Sequence, residues 1–147
     1  MTYRKGTVPA SDINADGIIE IPFSVSDSDE EYIGITEWKQ FSFQKYTTVA
    51  QGICTDELIF NYPDKWVNQV AAVQKGNVWT FYDMSGEQPQ MLFDLIVSDI
   101  SQWNSHSDKY DKLTIHYGTI YGVKLGSTSS KLALNKSEIE KCIINIR

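Results

Sequence analysis

Oxygen-bearing side chains recur at alternate positions near the N-terminus, in the segment Asp12-Ile13-Asn14-Ala15-Asp16-Gly17-Ile18-Ile19-Glu20. Calcium prefers six to eight oxygen ligands, which a tight loop supplies from alternate positions around a turn-permitting glycine. The candidate ligands are the side chains of Asp12, Asn14, Asp16 and Glu20 and the backbone carbonyl of Ile18. The sequence therefore predicts a structural Ca²⁺ site in this loop, with a weak dissociation constant of about 0.1 to 1 mM.

The loop begins like an EF-hand but does not continue like one. An EF-hand needs a bidentate glutamate at the twelfth position, where this chain has Phe23. The residues that follow the loop, Ile19-Glu20-Ile21-Pro22, indicate an extended strand rather than a helix. The pattern favours a hairpin-type calcium site. The alternative is an acidic turn that starts a strand, with Asp and Asn present for their turn-forming side chains.

Short strands separated by turn residues account for most of the chain after the loop. Aromatic residues make up 12% of the composition, which favours strands. Lys75-Gly76-Asn77 and Gly118-Thr119 each lie between two apolar runs, and this predicts two hairpins. The strongly apolar run from Met91 to Ser98 predicts a central strand, and one helical turn is expected around Trp103.

The hydrophobic period changes at the C-terminal end. Ile139, Cys142, Ile143 and Ile146 recur at helical spacing, and Asn135 with Glu138 resembles a capping box. The predicted fold class is therefore α+β, mainly antiparallel β-sheet with a C-terminal helix packed on it. Cys142 is interpreted as a small hydrophobe on that helix, although a disulfide with Cys54 remains an alternative.

Composition excludes several partner classes. The 147 residues carry a formal net charge of −6 and contain no run of Lys or Arg, so a nucleic-acid partner is not expected. No stretch approaches the roughly 18 apolar residues of a membrane span, so no transmembrane segment is expected. The N-terminus also lacks the apolar region of a signal peptide.

The loop at residues 12–22 resembles the calcium loop of FG-GAP/VCBS-type repeats. Thr36-Glu37-Trp38 and the segment from Phe60 to Trp66 are similar to the C-terminal region of VCBS-repeat surface proteins and lipoproteins of Gram-positive bacteria. The latter segment also resembles Mog1/PsbP-like domains. The resemblance implies a calcium-loop segment at 1–25 that ends a propeller-type repeat, an α+β domain at 26–147, a neighbouring domain of the parent protein as a partner, and an extracellular or cell-surface location.

Binding is favoured over catalysis. His106 and His116 are the only histidines, and no G-x-S-x-G elbow or phosphate-binding glycine loop occurs. Of the four tryptophans, Trp103 lies in a polar stretch and is the candidate ligand-binding ring, whereas the others are expected in the core. The Pro63–Trp66 pair is interpreted as a core corner. We therefore expect a non-catalytic accessory module with an envelope or carbohydrate partner; the alternatives are a carbohydrate-binding module or a small hydrolase with an unrecognised site.

Overall fold

The computed structural model describes residues 3–4, 18–24, 32–42, 44–55 and 57–144, and the chain divides into two compact units. The first unit comprises Met1–Val67 together with Cys142–Arg147, and the second is Asn68–Lys141. In sequence, the second unit is thus an insertion between two parts of the first. The boundary expected between residues 25 and 26 lies outside the described residues and stays a prediction.

The first unit is an antiparallel sheet whose strands follow one another in sequence order. They are β1 (Tyr3–Arg4), β2 (Ile21–Ser24), β3 (Thr36–Ser42), β4 (Lys45–Cys54) and β5 (Ile59–Asn61). Ile143 forms an antiparallel β-bridge with Phe60, and the Ile144 N–H donates to the Ile59 carbonyl at 2.9 Å. The C-terminal segment therefore continues this sheet at the free edge of β5.

A cluster of buried side chains forms part of the core of the first unit. It consists of Trp38, Cys54 and Ile59, with the half-buried Ala50 and Ile144 packed against them. Cys54 and Cys142 are both free and buried, which confirms the interpretation of Cys142 as a small hydrophobe.

A 3-10 helix, Asp64–Trp66, follows Pro63 at the end of β5. The Trp66 N–H donates to the Pro63 carbonyl at 2.8 Å, and the indole is fully buried. Proline fixes the backbone that enters this turn. The Pro63–Trp66 pair is therefore a core corner, as expected.

The second unit is a five-stranded antiparallel sheet with the order β6-β7-β8-β10-β9. Its strands are β6 (Val70–Lys75), β7 (Val78–Asp83), β8 (Gln90–Asp99), β9 (Asp111–His116) and β10 (Thr119–Leu125). Both predicted hairpins are confirmed: Gly76 adopts a positive φ of 62° between β6 and β7, and Gly118 one of 83° between β9 and β10. The predicted helical turn is the second 3-10 helix, Ile100–Ser105.

Strand β8 lies at the centre of this sheet, as its apolar sequence predicts. Phe93 and Leu95 are buried on one face and Ile96 and Ser98 on the other, the pattern of a strand covered on both sides. Strand β7 alternates instead, with Trp79, Phe81 and Asp83 buried and the residues between them half-buried.

The helix α1 (Lys136–Cys142) begins at the predicted capping box. The Glu138 N–H donates to Asn135 Oδ1 at 2.8 Å, and the Asn135 N–H donates to Glu138 Oε1 at 3.0 Å, so two otherwise unpaired donors are satisfied reciprocally. The predicted helical stripe is wrong at Ile143, which lies in the β-bridge to Phe60. Ile146 lies outside the described residues.

These elements confirm the coarse fold class, a β-rich α+β fold with antiparallel sheets and one short helix near the C-terminus in the described part of the chain. The packing of that helix across a sheet stays a prediction. Among the described residues, no helix has the length and apolar character needed to cross a membrane.

Candidate functional site

The end of the predicted calcium loop is anchored in the sheet of the first unit. Ile18 is 50% exposed, whereas Glu20 is fully buried directly before β2. Gln40 Nε2, on β3, donates a hydrogen bond to Glu20 Oε1 at 2.7 Å. A buried carboxylate needs such a partner, and this contact fixes the orientation of the residue expected to close the loop.

The remaining side-chain ligands of the predicted loop, Asp12, Asn14 and Asp16, lie outside the described residues. Within the described ranges, no group of three or more His, Cys, Asp or Glu side chains comes together. That observation concerns other parts of the chain, so calcium binding by the loop stays a prediction.

Three aromatic rings on β2, β3 and β4 form the most distinctive surface of the first unit, called here the aromatic face: Phe23, Phe41 and Tyr46. Phe41 is 57% and Tyr46 51% exposed, and Phe23 is half-buried. The Tyr46 ring centroid lies 5.3 Å from that of Phe23 and 5.0 Å from that of Phe41. Clustered exposed rings of this kind mark binding surfaces more often than isolated ones do.

A row of polar side chains runs along the same sheet face and is called here the polar row: Glu37, Lys39, Thr48 and Gln51. Glu37 accepts hydrogen bonds from Thr48 Oγ1 at 3.3 Å and from Gln51 Nε2 at 3.4 Å. Lys39 Nζ lies 3.9 Å from Glu37 Oε1 and 5.6 Å from the Phe23 ring centroid. The polar row thus brings a carboxylate, a hydroxyl and an ammonium group beside the rings, while the amide-bearing Gln51 is only 4% exposed.

A β-bulge places the aromatic face and the polar row on one side of the sheet. Trp38 pairs with Ala50 but Lys39 pairs with Thr48, so Val49 is the extra residue of β4. Strict alternation from Gln51 would turn residues 49, 47 and 45 to this side. The extra residue shifts the set by one, so Thr48 and Tyr46 face the same way as Gln51. The sequence does not predict these exposed rings, because alternation alone does not reveal a bulge.

The tryptophans do not form the exposed surface. Trp38, Trp66 and Trp79 are fully buried, as expected. Trp103, the ring proposed from the sequence as ligand-binding, is half-buried. A Cβ built on Gly122 would lie only 2.7 Å from both Trp103 Cζ3 and Cη2, so the indole packs against the bare backbone of β10. A role of Trp103 in binding stays a prediction.

Each histidine ring lies beside a tyrosine ring. The His106 and Tyr110 centroids are 6.4 Å apart, and those of His116 and Tyr121 are 6.2 Å apart. Strand alternation suggests an exposed His116, but His116 is half-buried while its neighbour Tyr117 is 72% exposed. The two imidazoles therefore take part in aromatic contacts within the second unit.

A second polar pair lies on the adjacent strands β7 and β8. Thr80 Oγ1 donates to Asp94 Oδ1 at 2.5 Å. Burial, and secondarily the negative charge of Asp94, raise the pKa of the Tyr110 hydroxyl. This arrangement holds a carboxylate near two hydroxyl groups, but Thr80 already occupies one carboxylate oxygen.

Asp83, the last residue of β7, forms hydrogen bonds with the segment that follows β10 and with the turn that follows β7. Its Oδ2 accepts a hydrogen bond from Ser130 Oγ at 2.5 Å, and its Oδ1 accepts from Ser85 N at 2.8 Å and Ser85 Oγ at 2.6 Å. These bonds, first that from Ser130 and then those from Ser85, hold the pKa of Asp83 below its ordinary value of 3.8.

Replacing Asp83 with asparagine is expected to lower the free energy of unfolding at pH 7 by about 1 to 2 kcal/mol, because charge-assisted bonds become neutral and one acceptor oxygen is lost. The lowered pKa stabilises the fold above the ordinary pKa, and this stabilisation is lost as the pH falls through the folded-state value. Urea denaturation from pH 7 to pH 2 should therefore show the two proteins converging in acid. Asp99→Asn, at an exposed position, should track wild type; a pH-independent difference for Asp83→Asn would contradict the prediction.

Comparison of the chain with models of protein families, with curated proteins and with solved structures finds no match.

Proposed function

We propose that this chain is a non-catalytic binding module of an exported or cell-surface protein, with a structural calcium loop at residues 12–20. The observation that carries the calcium proposal is the fixed carboxylate of Glu20, which is fully buried and hydrogen-bonded to Gln40 at 2.7 Å. The surface location and a neighbouring domain as partner follow from the resemblance to VCBS-repeat proteins and belong to the same proposal.

The contact between Gln40 and Glu20 has the form of outer-shell support for a metal ligand. Carboxylates that bind metals are themselves hydrogen-bonded, and these partners orient the ligand oxygen. Asp12, Asn14 and Asp16 would supply the other side-chain oxygens, and Ile18 its carbonyl. The proposed role of the bound ion is to stiffen the segment that enters β2, since neither sensing nor chemistry is needed to explain these residues.

Calorimetric titration tests the calcium proposal. Wild-type protein is expected to bind one Ca²⁺ with a dissociation constant of about 0.1 to 1 mM, and Asp12→Ala and Asp16→Ala should each abolish the heat. Asp29→Ala removes the same charge from the neighbouring acidic stretch and should leave binding unchanged. Absence of heat from the wild-type protein at millimolar calcium would contradict the proposal.

The variant Gln40→Ala tests whether the contact between Gln40 and Glu20 supports calcium binding by the loop. If Gln40 orients Glu20 as a ligand, its removal should weaken calcium affinity by about tenfold. The exposed Gln74, which donates to the Gly76 carbonyl at 3.0 Å, provides a matched glutamine control. Equal calcium affinities for Gln40→Ala and Gln74→Ala would show that Glu20 is not oriented for the metal.

A second candidate function, carbohydrate binding, is favoured by the exposed rings of the aromatic face. It is compatible with the calcium loop, because a binding module can carry a structural ion. The small-hydrolase alternative finds less support, since the two histidine rings lie against tyrosines. A panel of hydrolase substrates would test that alternative directly.

A further inference from the structure

We propose that the aromatic face and the polar row together bind a neutral polysaccharide. This inference rests on the proposed role as a binding module and names the chemical class of its ligand. The site consists of Phe23, Phe41 and Tyr46 with Glu37, Lys39 and Thr48, all on one side of β2, β3 and β4. The buried Gln51 supports Glu37 through its hydrogen bond.

The rings form a preorganised platform. Phe41 and Tyr46 are a directly paired couple on β3 and β4, and each is more than half exposed. Tyr46 contacts both other rings, at centroid distances of 5.0 and 5.3 Å, which limits their freedom before a ligand arrives. Because the face of an aromatic ring carries partial negative charge, it attracts the weakly positive C–H groups on the flat side of a sugar.

The polar row supplies groups suited to sugar hydroxyls. The two hydrogen bonds to Glu37 are long, at 3.3 and 3.4 Å, compared with about 2.7 to 2.9 Å for favourable bonds to ions. A ligand hydroxyl can therefore replace the bond from the exposed Thr48 at little cost, whereas Gln51, only 4% exposed, keeps its bond to Glu37. Binding sites for small polar ligands combine an apolar surface with a few such polar groups that fix orientation.

A sugar fits this surface better than a protein partner does. The cores of protein interfaces are depleted in charged residues, whereas Lys39 lies over Phe23 and is paired with Glu37 in the middle of this surface. A sugar ring presents C–H groups on its faces and hydroxyls at its rim, which matches rings bordered by polar groups.

Charge selects for a neutral ligand. The chain has a net charge of −6, and within the proposed site the charges of Glu37 and Lys39 balance each other. Since electrostatic repulsion disfavours polyanions near an acidic protein, anionic envelope polymers are poor candidates. A neutral polysaccharide avoids this cost while keeping the ring contacts.

The test is calorimetric titration of the full chain with hexasaccharides of β-1,4-linked glucose, xylose, mannose and N-acetylglucosamine, in the presence of EDTA. At least one should bind, and Phe41→Ala and Tyr46→Ala should each weaken that binding by about tenfold. Tyr117→Ala is the matched control, because Tyr117 is 72% exposed in the second unit, and it should bind like wild type. Far-ultraviolet circular dichroism confirms folding of each variant.

The contrary outcomes are equally specific. Lack of binding to all four sugars would overturn the proposal, as would binding that Phe41→Ala and Tyr46→Ala leave unchanged. If no sugar binds, but peptides selected for binding to the wild-type chain bind more weakly to Phe41→Ala and Tyr46→Ala, the surface is a protein-docking site instead. Because EDTA removes calcium, the sugar titration does not depend on the calcium loop. Failure of the calcium proposal would therefore leave the sugar result unchanged, and the two failures are distinguishable.

Discussion

Replacement of Trp66 with alanine is expected to lower the free energy of unfolding by about 3 to 5 kcal/mol. Its indole is fully buried, and its ring stacks on Phe60 at 5.7 Å between centroids with an interplanar angle of 23°. The Tyr62 ring meets it edge-on at 5.1 Å. Truncation removes both aromatic contacts and leaves a cavity, and the fixed turn that follows Pro63 limits how far the chain can collapse into it.

Urea denaturation followed by far-ultraviolet circular dichroism measures this loss without relying on tryptophan emission. Trp66→Phe, which keeps one ring against Phe60, should lose less stability than Trp66→Ala. Val67→Ala, at a 38% exposed neighbouring position, should remain within about 1 kcal/mol of wild type. A loss below about 1 kcal/mol for Trp66→Ala would show that the Phe60–Tyr62–Trp66 cluster does not hold this corner.

The elements predicted from sequence are those specified by local chemistry. Gly76 and Gly118 mark the two hairpins because each adopts a positive φ that glycine accommodates readily. The Asn135–Glu138 capping box starts α1 through contacts within four residues. The central position of β8 was also predictable, since a strand buried on both faces loses the alternation of an outer strand.

The elements that sequence did not reveal depend on distant partners. Ile143 fits the helical stripe by spacing. It instead forms a β-bridge with Phe60 on the edge of β5, more than 80 positions earlier in the chain. Helical periodicity reports one buried face and cannot distinguish a helix core from the edge of another sheet. Pairing with β5 therefore takes the place of the helical turn that the local pattern predicts at Ile143.

The candidate site was only partly predictable for the same reason. Glu20 was identified from loop spacing, but its contact with Gln40 requires the pairing of β2 with β3. The aromatic face depends on the bulge at Val49, without which Tyr46 would turn to the opposite side of β4. The largest side chains do not form this surface, because Trp38, Trp66 and Trp79 are fully buried.

Alanine at Gly52 is the second substitution expected to destabilise the chain strongly, by at least about 3 kcal/mol. Gly52 is buried in β4 between β3 and β5, where it pairs with Thr36 and Asn61. A Cβ at this position would lie 2.1 Å from the Phe60 carbonyl oxygen and 3.1 Å from its carbonyl carbon. Both atoms belong to the backbone, so no side chain can rotate away to relieve the clash.

Relief of this clash would require β5 to move away from β4. Such a movement threatens the hydrogen bond from the Tyr62 N–H to the Gln51 carbonyl, 2.8 Å long, and that from the Ile144 N–H to the Ile59 carbonyl. Hydrogen exchange should therefore accelerate at the Tyr62 and Ile144 amides in Gly52→Ala, together with the loss of stability in urea. Gly86→Ala is the matched control, because its Cβ would find no atom closer than the Gln88 carbonyl oxygen at 4.0 Å. Wild-type stability in Gly52→Ala would show that β4 and β5 do not approach as closely as their backbones indicate.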